Sequence, residues 1–246
     1  MKSSVQADGR AGHPSVSEPM SLNDLNSRIT RCRHCPRLVA WREEVARTRR
    51  AQYRDEEYWG RPVPGFGDPA ARLLVVGMAP AAHGANRTGR MFTGDRSGEW
   101  LFRALHAAGF SNKADSADRA DGLRLRDAYV TAMVRCAPPG NKPSNEERDA
   151  CADYFAQELA QLTRVRVILP LGKFAWDGVL RALAAGGATV RPRPSFGHGA
   201  QVVVGAHILI GSYHPSQQNT FTGRLTREML QEVLDRARQL AAGGDG

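Results

Sequence analysis

The sequence predicts an α/β fold in which helices cover both faces of a mostly parallel sheet of about four strands. Four short apolar runs recur along the chain, and each has the length of a buried strand. Stretches with helical spacing separate these runs. Buried strands that alternate with helices are typical of a three-layer α/β/α arrangement, because a sheet that is apolar on both sides needs cover on both sides.

The first elements in order are a tail, two helices and a loop. Residues 1–20 mix serine, glycine, proline and charges without periodicity, which predicts a disordered tail and not a signal peptide. Ser21 opens a capping-box pattern at the start of a short helix, and residues 36–50 have helical spacing. Residues 53–68 hold two prolines and three glycines, so we expect an irregular loop there.

The predicted strands and the remaining helices follow along the rest of the chain. The apolar runs that predict strands are residues 72–77, 128–134, 165–171 and 207–211. The helical patterns are residues 97–108, 144–162, 173–185 and 226–242. Ser144 and Glu147 form a capping box, and glycines follow the helices that end near residues 108 and 185. One domain over residues 21–242 accounts for all of these elements.

Charge makes a polyanionic partner plausible without proving one. Lysine and arginine total 34 against 25 acidic residues, a formal net charge of +9, and the excess is nearly all arginine. The planar guanidinium group suits phosphate contacts, but arginine-rich composition also accompanies GC-rich genomes. No apolar run approaches the length that spans a bilayer, so we expect no membrane partner and a cytoplasmic protein.

The four cysteines predict one metal site. Cys32 and Cys35 share a turn that Pro36 stiffens, Cys136 follows the second predicted strand, and Cys151 lies in a predicted helix. Such a site would tie the N-terminal segment to the middle of the domain. Tetrahedral zinc and a cubane iron–sulfur cluster both fit four thiolates, and the residues alone do not separate them. Disulfides are a weaker alternative, because no secretory signal precedes the chain.

Loops at the carboxyl ends of the predicted strands are where a ligand is expected. Residues 77–95 form a glycine-rich loop, which predicts that the backbone approaches something closely. An arginine and a methionine stand where a P-loop needs lysine and serine or threonine, so nucleotide hydrolysis is not indicated. The loop offers His83, Phe92 and Asp95 to a pocket. Core packing is the alternative for Phe92, and capping of the next helix is the alternative for Asp95.

The loop after the fourth predicted strand is rich in side chains that form hydrogen bonds. It runs from His214 to Arg224 and contains one aromatic residue, Phe221. Pro215 restricts the backbone next to His214, which favours a functional histidine over a structural one. The segment therefore looks suited to contact a polar ligand.

Together these segments resemble the uracil-DNA glycosylase superfamily, and specifically its family 5. The resemblance spans about residues 28–240 and rests on residues 77–81, residues 89–95, the His-Pro-Ser triplet that begins at His214, and the four spaced cysteines. It implies the uracil-DNA glycosylase-like α/β fold. Family 4 members share the four cysteines, which there ligate a [4Fe–4S] cluster, so the resemblance favours that cluster over zinc at Cys32, Cys35, Cys136 and Cys151.

The chain departs from the family 4 pattern in two places. Family 4 has an acidic residue in the first motif and an asparagine in the strand before the third cysteine. Here those positions correspond to Ala79 or Ala81 and to Ala132, as in family 5. The usual activation of water from the first motif is therefore in doubt. A pocket without that asparagine has fewer polar groups to reject other bases, which implies activity on hypoxanthine as well as uracil.

The resemblance also implies roles for the candidate residues. Base excision requires the nucleotide to leave the helical stack, and Phe92 would stack on the flipped base. The loop backbone would surround the edge of that base, and the side chain of Asn141 would form the pocket floor. The substrate-binding candidates besides Phe92 are Gly77, Ala79, His83, Gly84 and Asn141. A turn role is the alternative for Asn141. Asp95 would stabilise the cationic sugar or orient water, and His214 would donate a hydrogen bond to the base carbonyl.

The expected partner is DNA that carries damaged bases, with duplex DNA favoured, single strands left open and the protein a monomer. Ser216, Gln217, Phe221 and Arg224 would enter or brace the duplex, with Phe221 as a wedge. A loop that merely folds onto the domain is the alternative. Two rival functions are a non-catalytic or redox iron–sulfur DNA-binding protein and a zinc-stapled nucleotide-binding domain. Both would leave Asp95 and His214 without a task.

Overall fold

The sheet has six strands in the computed structural model, which describes residues 20–243. The strands are β1 (Phe66–Gly67), β2 (Leu73–Gly77), β3 (Ala128–Ala132), β4 (Val167–Pro170), β5 (Gln201–Val204) and β6 (His207–Ile210). Their order across the sheet is β1-β3-β2-β4-β6-β5. The four inner strands are parallel, while β1 and β5 run antiparallel at the two edges. The prediction of a mostly parallel sheet is confirmed.

The prediction of about four strands was wrong, because the sheet also has two short edge strands. β1 lies in the loop rich in proline and glycine. It has only two residues, which is too short to show an alternation of apolar and polar residues. β5 is exposed at two of its four positions and joins β6 through a hairpin turn at Gly205. The predicted tail lies outside the described residues except for Met20, and the single domain over residues 21–242 stays a prediction.

Eight α-helices surround the sheet in the described part of the chain. They are α1 (Leu22–Thr30), α2 (Pro36–Thr48), α3 (Ala85–Thr88), α4 (Arg96–Ala107), α5 (Asn145–Gln161), α6 (Lys173–Ala185), α7 (Gln217–Phe221) and α8 (Arg227–Ala242). The capping boxes at Ser21 and Ser144 are confirmed. The short helices α3 and α7 lie inside the two loops singled out for chemistry. Over residues 20–243, every helix is too short or too polar to cross a membrane.

The two faces of the sheet support separate hydrophobic cores, as a three-layer α/β/α fold requires. Leu73 and Val75 of β2 point to the core that α4 and α8 cover. Leu74 and Val76, which alternate with them, point to the core that α5 and α6 cover. Because successive side chains of a strand face opposite sides, one apolar strand contributes to both cores. The predicted fold class is confirmed.

The order of the strands creates a crevice at their carboxyl ends. From β2 the chain crosses to β3 on one side, whereas from β4 it crosses to β6 on the other. A crevice forms where such connections diverge, and ligands bind there in open α/β sheets. Gly77 ends β2 opposite Ala132, and Leu171 after β4 forms a bridge with Ser212 after β6. The loops that follow these positions contain most of the predicted site residues.

Candidate active site

Phe92 and His214 meet at this crevice although they are 122 positions apart in the sequence. Their ring centroids are 5.8 Å apart and the rings are tilted by 32°. Phe92 is 9 % exposed and belongs to the core that α4 and α8 cover, so its core-packing role is confirmed. Its φ of 53° is unusual for an aromatic residue. Backbone conformations of this kind concentrate at functional sites, which supports a second role for Phe92.

Glycines lie beside the two rings. A Cβ atom on Gly77 would lie 2.8 Å from both Cε2 and Cζ of Phe92, so no larger residue fits at the end of β2. Gly172, after β4, has a φ of 91°, and a Cβ atom there would lie 3.6 Å from Cβ of His214. Gly77 therefore makes room for the Phe92 ring, whereas Gly172 is favoured by its left-handed backbone beside His214.

Asp95 is the N-cap of α4, so the capping role considered from the sequence is confirmed. Its Oδ1 atom accepts a hydrogen bond of 2.9 Å from the amide of Gly98. The other oxygen points at Gly84, where a Cβ atom would overlap Oδ2 and lie 2.8 Å from Cγ. Burial raises the pKa of Asp95, against the opposing effect of hydrogen bonds from the Gly98 and Ser97 amides. The carboxylate thus lies desolvated against the glycine-rich loop.

Burial lowers the pKa of His214 to about 4. The imidazole is therefore neutral near neutral pH, with one N–H donor and one acceptor nitrogen. The backbone around it is fixed, because the carbonyl of His214 accepts hydrogen bonds from the Ser216 amide at 2.8 Å and from Nδ2 of Asn219 at 2.9 Å. Ser216 in turn caps α7. A neutral, fixed imidazole can donate a hydrogen bond without carrying a charge.

His198 supports the strand end that leads to His214, and sequence analysis did not predict this role. Its Nε2 atom lies 3.2 Å from the carbonyl of Met229, and its Nδ1 atom accepts a 3.2 Å hydrogen bond from the Tyr213 amide. The two bonds fit a neutral ring with the proton on Nε2. The rings of His198 and Tyr213 also lie 5.2 Å apart. His198 lies in an irregular segment, and its partners are at least 14 residues away, so no local pattern predicts these contacts.

Arg87 organises the glycine-rich loop, and it too was missed. Its guanidinium donates to the carbonyl of His83 at 2.9 Å and to that of Gly94 at 3.0 Å, and it forms an ion pair with Glu56. The predicted site residue His83 has its Nδ1 atom 3.1 Å from the hydroxyl of Tyr58. Arg87 thereby joins the middle of the loop, at His83, to its end at Gly94, next to Asp95.

The remaining predicted contacts to a base differ in their surroundings. Ala132 is buried at the end of β3 beside Gly77. Ala79 packs against a cluster that contains Cys136 and Cys151. Asn141 is exposed in a 3₁₀ turn and has a φ of 56°, which suits the turn role weighed for it. The substrate contacts of Ala79 and Asn141 stay predictions.

The loop after β6 presents an aromatic residue and arginines to solvent. Phe221, in α7, is 67 % exposed, and the guanidinium of Arg96 lies 4.3 Å from its ring centroid. The guanidinium of Arg224 lies 4.6 Å from the ring of Tyr213. Gln217, the first residue of α7, is exposed as well. An exposed ring beside a cation is the chemistry that stacks on bases and contacts phosphates.

All four cysteines line one small cavity, together with Pro62, Arg135 and Tyr154 among others. They are free thiols, and burial is the main cause that raises the pKa of Cys136 to about 12 and that of Cys151 to about 11. Over residues 20–243, no three Cys, His, Asp or Glu side chains form a group that could hold a metal ion as they stand. The four thiols thus share a cavity without converging on a single point.

Comparison with known proteins gives consistent matches. A model of the uracil DNA glycosylase superfamily matches residues 64–238. The chain is 54 % identical over 223 residues to a type-5 uracil-DNA glycosylase of Mycobacterium bovis, covering 90 % of this chain and 82 % of that relative. It is 55 % identical over 214 residues to a type-5 uracil-DNA glycosylase of Thermus thermophilus, covering 87 % and 95 %. A type-4 uracil-DNA glycosylase of Archaeoglobus fulgidus is 31 % identical over 156 residues, covering 63 % and 61 %.

Proposed function

The chain belongs to the uracil-DNA glycosylase superfamily as a type-5 member, and from this membership we propose that it removes uracil and other deaminated bases, including hypoxanthine, from DNA. It is an enzyme that hydrolyses N-glycosidic bonds, and the product would be an abasic site. The contact between Phe92 and His214, in a crevice that also receives the loop with Asp95, is the observation that carries the proposal. Duplex DNA is the proposed substrate, and the protein would act as a cytoplasmic monomer.

Phe92 is proposed to receive the flipped base. Extruded bases bind by stacking and by hydrogen bonds to their edges. The Phe92 ring is held by its core contacts and by the glycine at position 77, so it offers a rigid stacking surface. The backbone from Gly77 to Gly84 would supply amides to the edge of the base. Phe221, exposed beside Arg96, is proposed to enter the space that the flipped nucleotide leaves.

Asp95 and His214 are proposed to stabilise the two charges that develop as the glycosidic bond breaks. The sugar becomes positive and the departing base becomes negative, so a carboxylate and a hydrogen-bond donor are each needed on the correct side. A carboxylate removed from water interacts more strongly with a nearby cation, which favours Asp95 as the stabiliser of the sugar or the group that orients water. The neutral imidazole of His214 would donate its N–H to the carbonyl of the base.

A broad range of bases is proposed because the buried end of β3 carries no polar side chain at Ala132. Discrimination against a wrong base is strong when a buried polar group would be left unpaired. A methyl group in this position imposes no such penalty. Stacking on Phe92 and hydrogen bonds from backbone amides tolerate several base shapes, so both uracil and hypoxanthine would be accepted.

The four cysteines are proposed to ligate a [4Fe–4S] cluster. The donor set is four thiols around one cavity, and the ligands of a cubane cluster are spread over its corners, whereas zinc needs its ligands at a single centre. Burial raises the pKa of Cys136 and Cys151, and binding of a metal centre would favour their thiolate forms. The cluster would cross-link α2, the segment after β3 and α5, and would take no part in bond cleavage.

Single-turnover assays on matched duplexes test the proposed activity. The duplexes contain uracil, hypoxanthine or an undamaged base at one position, and alkali converts abasic sites into strand breaks. We expect breaks from the uracil and hypoxanthine duplexes alone, with His214→Ala slowing the poorer leaving base most. Strand breaks in the uracil duplex alone would contradict the proposed activity on hypoxanthine. Binding without any abasic site would instead support the alternative, a redox iron–sulfur DNA-binding protein.

Metal analysis tests the proposed cofactor separately. The purified protein should be brown and contain iron and acid-labile sulfide, and Cys136→Ser should lose both colour and solubility. A colourless, active protein with stoichiometric zinc would contradict the cluster and leave the glycosylase proposal intact.

A further inference from the structure

Arg42 is a buried cation whose hydrogen-bonding groups are mostly unused. It lies in α2, which begins directly after Cys35, and its side chain is 2 % exposed. Nη2 donates a 3.3 Å hydrogen bond to the carbonyl of Cys32. Nε and Nη1 are buried and have no hydrogen-bond partner among the described residues. A buried charge with unpaired donors costs several kcal/mol unless another group compensates it.

The carboxylate next to Arg42 does not supply that compensation. Glu43 lies 3.5 Å from Nη2 and is 43 % exposed, so water weakens the interaction. Both oxygens of Glu43 are already bound by Arg33, at 2.5 and 3.1 Å. Neither contact reaches Nε or Nη1 of Arg42.

Arg135, in the same region, has the buried counter-charge that Arg42 lacks, although its Nε atom is also without a hydrogen-bond partner among the described residues. It lines the cysteine cavity and its side chain is 1 % exposed. Glu158, fully buried, meets it with an Nη2–Oε2 distance of 2.6 Å, and Thr131 joins the network. The chain therefore provides a buried counter-charge for one arginine near the cavity and not for the other.

Arg42 lies next to the segment that carries the first pair of cysteines. Arg42 contacts the backbone of Cys32 directly, and Cys32 lines the same cavity as Cys35, Cys136 and Cys151. When a metal centre binds, all four thiols become thiolates, and the centre as a whole is negative. Such a centre would supply the charge that Arg42 lacks.

We propose that Arg42 is the buried counter-charge of the metal–thiolate centre, with its unpaired N–H groups directed to the sulfur atoms. This inference rests on the cofactor part of the proposed function. Net charge and hydrogen bonds to sulfur set the reduction potential of an iron–sulfur cluster. A fixed positive charge stabilises the more negative, reduced form, so Arg42 raises the reduction potential and slows loss of the cluster.

The test compares Arg42→Met with Arg42→Lys in the intact, metal-loaded protein. The methionine variant keeps much of the apolar stem and removes the charge, whereas lysine keeps the charge and loses the planar set of donors. Reduction potential is measured by spectroelectrochemistry, and metal loss is followed after addition of a chelator. We expect Arg42→Met to lower the potential and to speed metal loss about 10-fold or more, with Arg42→Lys in between.

Arg47→Met is the matched control, because it removes the same charge from the exposed side of the same helix. Arg47 is 73 % exposed and pairs with Glu44. It should leave both readouts unchanged. Equal potentials and equal rates of metal loss in wild type, Arg42→Met and Arg42→Lys would overturn the proposal. If Arg42→Met fails to fold, the test rests on Arg42→Lys. A wild-type reduction potential and a wild-type rate of metal loss in that variant would overturn the proposal.

Three further outcomes distinguish the inference about Arg42 from the proposals about the cofactor and about base excision. If the purified protein holds zinc, the chelator rate alone is the readout, and the same order of variants is expected. If it holds no metal, the proposal falls together with the cofactor. Uracil excision is measured in parallel with wild type: an absence of excision would defeat the proposed function without touching the effect of Arg42 on the metal.

Discussion

The Asp95 side chain has two tasks that substitution can separate. One oxygen caps α4 and the other lies desolvated against Gly84. Because burial raises its pKa, any stability that Asp95 contributes through this shift is present at low pH and is lost as pH rises through the raised pKa. The ionised form of Asp95 therefore costs stability, as is common for groups at active sites.

Asp95→Asn should abolish most excision and leave the fold at least as stable as wild type. Asparagine caps helices about as well as aspartate but brings no charge to the sugar. We expect single-turnover excision to fall about 100-fold or more, with DNA binding little changed. Asp95→Ala should show the same kinetic loss plus about 1 kcal/mol less stability in denaturant unfolding, since the cap is gone. Wild-type excision rates in the asparagine variant would remove Asp95 from the mechanism.

His214 should make the protein acid-sensitive. Its pKa falls from 6.5 to about 4 on folding, so its contribution to stability is present above pH 6.5 and is lost as pH falls toward 4. His214→Gln, which cannot be protonated, should lose less unfolding free energy over that window than wild type. Denaturant unfolding at a series of pH values measures the difference, and parallel curves for the two proteins would contradict it.

Sequence reasoning identified residues whose local context carries a signal. Asp95 stands before a helical pattern, and His214 stands at a strand end before proline. Arg87 and His198 gave no such signal, because Arg87 binds carbonyls within an irregular loop and His198 binds a carbonyl and an amide far along the chain. Their functions depend on tertiary contacts, which one sequence does not reveal.

At the scale of elements, the glycine-rich loop holds its shape by close contacts that leave no room for a methyl group. Gly77 adjoins the Phe92 ring and Gly84 adjoins the Asp95 carboxylate. Arg87 bridges the carbonyls of His83 and Gly94. The loop is thus a fixed scaffold, which is what a site that relies on preorganised charge requires.

Gly84→Ala should impair catalysis by displacing the Asp95 carboxylate. A Cβ atom there would overlap Oδ2, and a shift of the order of 1 Å in a catalytic group costs about 100-fold in rate. Gly186→Ala is the control, since Gly186 is exposed after α6 and its nearest neighbours to a Cβ atom are 3.5 Å away or more. We expect slow excision with retained DNA binding only in the Gly84 variant. Normal single-turnover rates for Gly84→Ala would show that the carboxylate is not held by this contact.

Long elements were predictable and short ones were not. The helix over Lys173–Ala185 has the predicted ends, and the four inner strands follow the apolar runs. α3, α7 and β1 have five residues or fewer and lie in segments rich in polar residues or glycine, where no period can develop. Tertiary contacts form these elements, so their absence from the prediction is expected.

At the scale of the whole molecule, the cysteine cavity joins segments that are far apart in the chain. Cys35 is the N-cap of α2, Cys136 follows β3, and Cys151 lies in α5. α2 also reaches the glycine-rich loop, because Nδ2 of Asn86 in α3 donates a 3.2 Å hydrogen bond to the carbonyl of Arg42. The segment that carries the first cysteine pair therefore supports the loop that leads to Asp95.

The edges of the sheet differ in a way that matters when the protein is concentrated. The edge strand β1 has two residues. The opposite edge strand, β5, has four residues, and its Val203 is 67 % exposed. An apolar outer strand can pair with the same strand of another molecule, and a lysine there opposes such pairing. Val203→Lys should reduce light scattering in concentrated, gently heated samples and leave the excision rate unchanged. Equal scattering by the variant and wild type would contradict this prediction. Reduced scattering of the lysine variant would place the start of aggregation at β5, and storage of the protein could then be improved without altering the crevice.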